Sequence, residues 1–505
     1  MAEPSARTLQ LLALLLVCSF AYFVGPPAWN QNSRLALTRA LVEQGRVTID
    51  DFHATTGDKS RREGHFYSDK APGVSLLSTI PYALLVVERK LTGGELPDVR
   101  VETLDPAIAA AEAAPTPADR EPGDVLIYNP AHRVALWLCR MVVVSLPSVL
   151  AGLSMFVLLI RETTRTIALG TTLTWLLATP AFGYACGLYG HQLVAALLFA
   201  AFALVVLDSP ARWGVRGRGL VIGGLLGWAV LSEYTAAVPV VLVLGWATWR
   251  RGWGLGLWIA IGGLPWALIL AGYHAWAFGS PLATGYDFVY LEEFAEGMKV
   301  NYGIGRPDPK VLIQLLFGSY RGLFYLAPVM LLAAWGVGVG LVGAAKTATE
   351  PKPSTVLVRG DWLLALGLIA HYLLLNSAYY MWDGGAALGP RHAVPMLPFL
   401  CLGLIPAFER VPRATWILAG LSCLQIVVIT AAGPEAPGWG NPLWAYGVPE
   451  LLGEATRGGA TSVGRLLGLP GPLSLLPLLA LWGLLGRELA RTRPNEAEAE
   501  LVAMS

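Results

Sequence analysis

The sequence predicts an all-α polytopic membrane protein, a bundle of about twelve transmembrane helices. Hydrophobic residues fill 55% of its 505 positions and charged residues only 14%, against about 25% charged in soluble domains. Mean hydropathy is +0.54. The apolar residues also gather in runs close to the roughly 20 residues that cross a bilayer. The 18 Trp and 17 Tyr suit interfacial anchors.

The chain opens with "MAEPSARTLQLLALLLVCSFAYFVGPPAW", one arginine ahead of an apolar run. No small-x-small cleavage site precedes Gly25-Pro26-Pro27, so residues 8–24 read as an uncleaved first span, with a cleaved signal peptide as the alternative. Further spans are expected at 133–160, 166–186, 191–208, 219–233, 235–249, 254–277, 322–345, 361–379, 389–408, 414–432 and 471–487. The pair between 219 and 249 is tight around Ser232-Glu233-Tyr234; one long tilted helix or a re-entrant hairpin would also fit.

Residues 72–88, "PGVSLLSTIPYALLVVE", are short for a span and carry Pro81 in their middle. Loop charge decides their placement. If they lie in the interface, the loops bearing Arg161/Arg165, Arg212/Arg216/Arg218, Arg250/Arg251, Lys346/Lys352/Arg359, Arg410/Arg413 and Arg487/Arg491/Arg493 all face the cytoplasm. The reverse placement turns every one outward. Residues 72–88 are therefore expected as a juxtamembrane helix, with both termini cytoplasmic and outer loops at 25–132, 278–321, 378–388 and 433–470. Within the first, "RLALTRALVEQG" (34–45) sets Leu35, Thr38, Leu41 and Val42 on one face and stops at Gly45, as an amphipathic surface helix would. Residues 92–124, rich in Pro, Ala and acid, read as a flexible insertion. The expected organisation is a transmembrane catalytic module over 1–410, C-terminal helices over 411–488 and a cytoplasmic tail over 489–505.

The outer loops concentrate the ionisable residues that are not topology signals. "TIDDFHATTGDKSRREGHFYSDKAPG" (48–73) mixes Asp50, Asp51, Asp58 and Asp69 with Lys59, Arg61, Arg62 and Lys70 just ahead of the interfacial helix. A solvated loop with balanced charges is the bland reading. Interleaved carboxylates and cations at the head-group level would instead hold a phosphate and leave a carboxylate for base work. "YYMWDGGAALGPRHAVPMLP" (379–398) puts Asp383 outside and Arg391-His392 just within a span, where charge costs roughly 2.5–3.5 kcal/mol unless it lines a polar cavity. Arg391 either reaches back to the head groups or binds an anion, and Arg321 in "GSYRGLFYLAP" has the same two readings. Glu233 is either a buried acid or a turn residue, and His191 opens a span from outside. His53, His65, His191 and His392 have no zinc-like spacing. No phosphate-binding glycine loop occurs in a strand–helix context, so a cytosolic nucleotide is not expected as donor. The five cysteines all fall in apolar runs, as small core residues do. A net charge of +1 gives no field for nucleic acid.

The order of first span, "NQNSRLALTRALVEQGR", polar stretch, "FYSDKAPGVSLL", interfacial helix and span resembles the GT-C superfamily of polyprenyl-phosphate-sugar-dependent membrane glycosyltransferases, of the protein O-mannosyltransferase and lipid A aminoarabinose transferase type. "FGSPLATGY", "RGLFYLAP" and "WDGGAALGPRHAVPMLPFL" are similar to a poorly characterised bacterial branch of it, and the resemblance covers about residues 10–410. That family carries an acid just after the first span as catalytic base. Here the position reads Asn30-Gln31-Asn32, amides that cannot take a proton. Its acid-Lys-Pro element is matched by Asp69-Lys70-Ala71-Pro72, with an alanine inserted.

The resemblance implies inverting transfer of a sugar from a polyprenyl-phosphate donor to an extracytoplasmic glycan, lipid or protein, in a bacterial inner membrane. Base candidates are Asp58, Asp50 and Asp69; donor-phosphate candidates are Lys70, Arg391 and Arg321, with His392 and Tyr67. Asn30, Asn32, His191, Glu233 and Asp383 are further cavity candidates. No cofactor is called for, and no residue pattern supports a divalent metal. The rival readings are a non-catalytic lipid-glycan scaffold, which would tolerate Asn30, and a twelve-span transporter, for which the sequence shows no internal repeat.

Overall fold

A computed structural model of the chain describes residues 4–103, 124–207, 213–347, 356–438, 440–453 and 460–492. It is a bundle of helices joined at one end by structured loops, and the short strands belong to those loops. Helix α1 is Ala6–Ala21, capped by Ser5, whose hydroxyl takes the Thr8 N–H. A two-residue strand, β1 (Phe23–Val24), leads to α2 (Trp29–Arg39), which widens into a π turn over Ala40–Gln44 and ends at Gly45 with φ +66°. Hairpin β2–β3 (Lys59–Arg62, His65–Ser68) comes next, then α3 (Gly73–Thr92) and hairpin β4–β5 (Val99–Thr103, Asp124–Tyr128). Beyond these lie α4 (Pro130–Leu159), α5 (Arg165–Leu177), α6 (Gly190–Leu207), α7 (Gly214–Ser232), α8 (Ala237–Arg251) and α9 (Trp253–Phe278). After the second long loop come α10 (Val329–Thr347), α11 (Arg359–Ala378), a broken helix α12 (Arg391–Cys401) and α13 (Leu404–Arg410), α14 (Pro412–Ala432), strand β6 (Thr461–Ser462) paired with β1, and α15 (Gly471–Arg491).

Among the described residues, seven helices are long and apolar enough to cross a membrane, or eight if α12–α13, bent by 51°, is one span. All twelve expected spans fall on helices. Of these, α1, α5 and α8 are 16, 13 and 15 residues long, short of that length. Helix α3 is not among the crossing helices. It turns Ile80, Leu84, Val87 and Leu91 outward while burying Val74, Ser78, Tyr82 and Leu85, the two-faced character of a helix lying against the bundle.

The expected surface helix at 34–45 is a correction. Asn30 through Arg39 are all buried, because α3 covers one side and the β2–β3 hairpin another, so polar residues that would face water face protein instead. Of the expected insertion, its first residue closes α3 and its flanks form β4–β5, while 104–123 lie outside the described residues. The tail at 493–505 lies outside them too.

Charge is sorted between the two ends. At the end away from the loops, Arg250 pairs with buried Asp361 at 3.1 Å, Arg165 donates to the Leu489 carbonyl at 2.6 Å, and Glu162 accepts from the Val356 N–H at 2.6 Å. At the loop end, segments following α1, α9, α11 and α14 meet one another around a cavity.

Candidate functional site at the loop end

The β2–β3 hairpin turns at Glu63-Gly64, with φ +52° and +85°, and its register pairs Lys59 with Ser68. The residues just beyond each strand, Asp58 and Asp69, are thereby drawn together. Lys70 follows at once, and its Nζ lies 3.0 Å from Asp58 Oδ2 and 3.3 Å from Asp69 Oδ2. Burial works against the Lys70 ammonium, but Asp58 and Asp69 outweigh it and hold the group charged. Burial also pushes Asp69 up to about 6, against the opposing pull of Lys70. Asp69 Oδ1 is buried with no hydrogen-bond partner among the described residues. The 284–289 segment packs closely here: Ser60 Oγ donates to the Gly285 carbonyl at 2.7 Å, and a Cβ on Gly285 would overlap the Asp69 backbone.

Helix α2 contributes Asn30 and Arg34, four residues apart on one face. Arg34 is 1% exposed; its Nε donates to Asn30 Oδ1 at 3.1 Å and its Nη2 meets Glu233 Oε1 at 2.6 Å. Glu233 sits in the extended break between α7 and α8. Two glycines seat this corner: a Cβ on Gly73 would strike the Leu231 backbone, and one on Gly190 would strike the Glu233 carboxylate. His191 Nδ1 lies 3.5 Å from Glu233 Oε1. Of the two alternatives for Glu233, the structure selects the buried acid.

Arg391 and His392 begin α12. The Arg391 guanidinium stands over the Tyr189 ring, 5.7 Å from its centre, and its Nε is buried without a partner among the described residues. His392 has its ring 5.1 Å from those of His191 and Tyr379, and its Nε2 is likewise unpartnered. Tyr189 donates its hydroxyl to Glu435, which also accepts from Gln31 Nε2 at 2.6 Å. Burial pushes Glu435 up to about 7.

Arg34 and the groups around Lys70, Glu233 and Arg391 border a cavity of about 350 Å³, behind whose lining lie Gln31, Tyr189 and Glu435. Eight sequence-predicted residues line it: Asn30, Asp58, Asp69, Lys70, His191, Glu233, Arg391 and His392. Tyr286, Phe294, Met298 and Tyr302 from the 278–321 loop close one side. That loop is tied down by bridges from Val289 to Ser60 and from Ile304 to Tyr379.

Five predicted residues are placed elsewhere. Arg321 is completely buried and gives its donors to the carbonyls of Asp383, Gly385, Ala387 and Pro437 at 2.5–3.2 Å, so it ties loops together and has no free fork for a phosphate. Asp383 accepts from the Tyr320 hydroxyl at 3.0 Å in the same tie. Asp50 pairs with His65 Nδ1 at 2.9 Å and accepts from the Phe66 N–H at 2.7 Å; these bonds overcome its partial burial and keep its carboxyl below the usual range. Tyr67 is buried against Phe278, with ring centres 5.5 Å apart. Asn32 donates to the Thr55 carbonyl at 2.9 Å and the Tyr128 hydroxyl at 3.0 Å. Sequence reasoning missed Arg34, His371, Asn376 and Glu435. The four-residue spacing of Asn30 and Arg34 was a usable signal for the first. Among the described residues no cluster of three or more His, Cys, Asp or Glu is placed to hold a metal ion.

No family model matches the sequence, and no curated protein matches it. Among solved structures, the chain is similar to ArnT from Cupriavidus metallidurans in the apo state, with TM-score 0.45 and 16% identity over 84% of this chain and 63% of that one. It is similar also to ArnT of the same organism bound to undecaprenyl phosphate, with TM-score 0.45 and 14% identity over 85% of this chain and 64% of that one. The chain thus spans less than two thirds of the length of either protein.

Proposed function

We propose that this protein is a membrane glycosyltransferase that moves a sugar from a polyprenyl-phosphate donor to a hydroxyl of an extracytoplasmic glycan, lipid or protein, with inversion. The observation that carries the reading is a cavity-lining cation with no counter-ion in contact. Arg391 makes no ion pair or hydrogen bond among the described residues, yet it lines the same cavity as Lys70 and two carboxylates. A half-buried guanidinium with no counter-ion in contact is suited to receive an anion, and two phosphate oxygens suit its planar fork. The motif resemblance at Asp69-Lys70 supplies the donor class.

The donor phosphate lies between Lys70 and Arg391. Drawing the Lys70 ammonium toward the phosphate loosens its hold on Asp58 and Asp69. The acceptor hydroxyl attacks the anomeric carbon, its proton passes to Asp58 or Asp69, and the bond from that carbon to the phosphate oxygen breaks. Polyprenyl phosphate departs with its charge stabilised by the two cations. Asp69, pushed up to about 6, is suited to proton transfer near neutrality. Asp50, turned toward His65, has no part in this scheme. Loop charge supports an extracytoplasmic site with both termini cytoplasmic, and the motif resemblance implies a bacterial inner membrane.

Asn30, at the family's acidic position, favours one second reading, a lipid-glycan binder without turnover. The two separate in a strain lacking the protein. Transferase function predicts accumulation of one polyprenyl-phosphate sugar, reversed by the wild-type chain and not by Lys70→Ala or Arg391→Ala variants present at normal membrane levels. Full complementation by either variant removes that residue from the site, and unchanged lipid-linked sugars together with an unaltered envelope glycan overturn the transferase reading.

A further inference from the structure

The cavity has a second wall with different chemistry. Helix α11 and the turn at 391–396 border it with His371, Asn376 and His392. Asn376 is fully buried, and neither its amide nitrogen nor its amide oxygen has a hydrogen-bond partner among the described residues. Nε2 of His371 and of His392 are unpartnered as well. Buried polar groups in native proteins are nearly always satisfied, and a polar residue within an apolar helix that crosses a membrane marks a functional position by default. An amide open on both its donor and its acceptor side can give and take a hydrogen bond at once. It fits adjacent hydroxyls, each of which donates and accepts. None of these three side chains is a carboxylate, lysine or arginine, Arg391 at the head of the same turn being given to the phosphate, and the Tyr379 ring, 5.1 Å from His392, adds a flat apolar face.

Resting on the donor reading above, we infer that this amide–imidazole wall is the sugar subsite, that Asn376 reads the hydroxyls of the transferred residue, and that the sugar is a neutral one. The charged wall holds the phosphate and the neutral wall selects what is attached to it. A uronic acid would bring a second anion to a cavity whose Lys70 and Arg391 are given to the phosphate, and an amino sugar would bring an ammonium where Asp58 and Asp69 are held by Lys70 and Glu233 by Arg34.

The test uses the full chain in lipid nanodiscs, with affinities measured for undecaprenyl phosphate, for undecaprenyl-phosphate glucose, mannose and galactose, and for the glucuronic acid counterpart. The wild type is expected to prefer at least one neutral hexosyl lipid over bare undecaprenyl phosphate by about tenfold. Asn376→Ala and Asn376→Leu should bind undecaprenyl phosphate as the wild type does and lose that preference to within about twofold. A preference retained in either variant overturns the assignment. Loss of both lipids in the variants makes Asn376 part of the frame and overturns it equally. Binding of the glucuronosyl lipid as tightly as the best hexosyl lipid overturns the neutral class. If the wild type binds undecaprenyl phosphate but no sugar improves it, the subsite falls while the phosphate site stands; if it binds neither, the donor reading itself falls and takes the subsite with it.

Discussion

Arg321 and Arg391 hold equivalent places in the sequence, each in a polar stretch at the outer end of an apolar run. Their surroundings could hardly differ more. Arg321 is enclosed by four backbone carbonyls from two loops, whereas Arg391 stands over the face of Tyr189 and makes no hydrogen bond or ion pair among the described residues. A buried cation satisfied by carbonyls is a structural tie. A cation that lines a cavity with no counter-ion in contact is a binding group for an anion.

That contrast can be broken first at Arg321. Arg321→Ala orphans four carbonyls, each at about 1–3 kcal/mol, so the variant is expected to accumulate poorly and melt early in detergent. A normal melting curve would remove the distinction. Next come the carboxylates around Lys70. Asp58→Asn and Asp69→Asn should slow glycan transfer by up to about 10²–10⁴-fold for whichever is the base, measured as product formed by reconstituted protein. For Asp69 the pH profile sharpens this. A carboxyl raised to about 6 must lose its proton to act as base, so the rate falls as pH drops through about 6, and Asp69→Asn abolishes that limb. A smaller effect is expected from Arg391→Lys, which keeps the charge but loses the two-pronged donor, weakening donor binding by about tenfold. Asp50→Asn, directed at His65, should leave the rate within about twofold of wild type; a larger loss would return Asp50 to the base candidates.

The helical, membrane-spanning character of the chain was legible because hydropathy acts over long windows, and the Asp69-Lys70 element was legible because it is contiguous. What could not be read depends on contacts distant in sequence. Nothing near Arg321 announces that carbonyls at 383, 385, 387 and 437 will enclose it. Glu435 lies 404 residues from Gln31, which hydrogen-bonds it, and Asn376 is noteworthy only once it is known to lack partners. The polarity of 30–39 suggested water, but the hairpin and α3 bury it. Its polar residues instead find partners across the protein, Gln31 in Glu435, Asn32 in Thr55 and Tyr128, and Arg34 in Glu233 at 2.6 Å.

The most direct measurement is equilibrium binding of undecaprenyl phosphate to the wild-type chain and to Arg391→Ala, both in nanodiscs and both with melting temperatures recorded. Removing a half-buried cation that has no ion pair or hydrogen bond among the described residues should leave the melting temperature at or above that of the wild type, while the affinity falls by at least about tenfold. Unchanged affinity in Arg391→Ala, at a normal melting temperature, would contradict the assignment of this cavity to a lipid-linked phosphate.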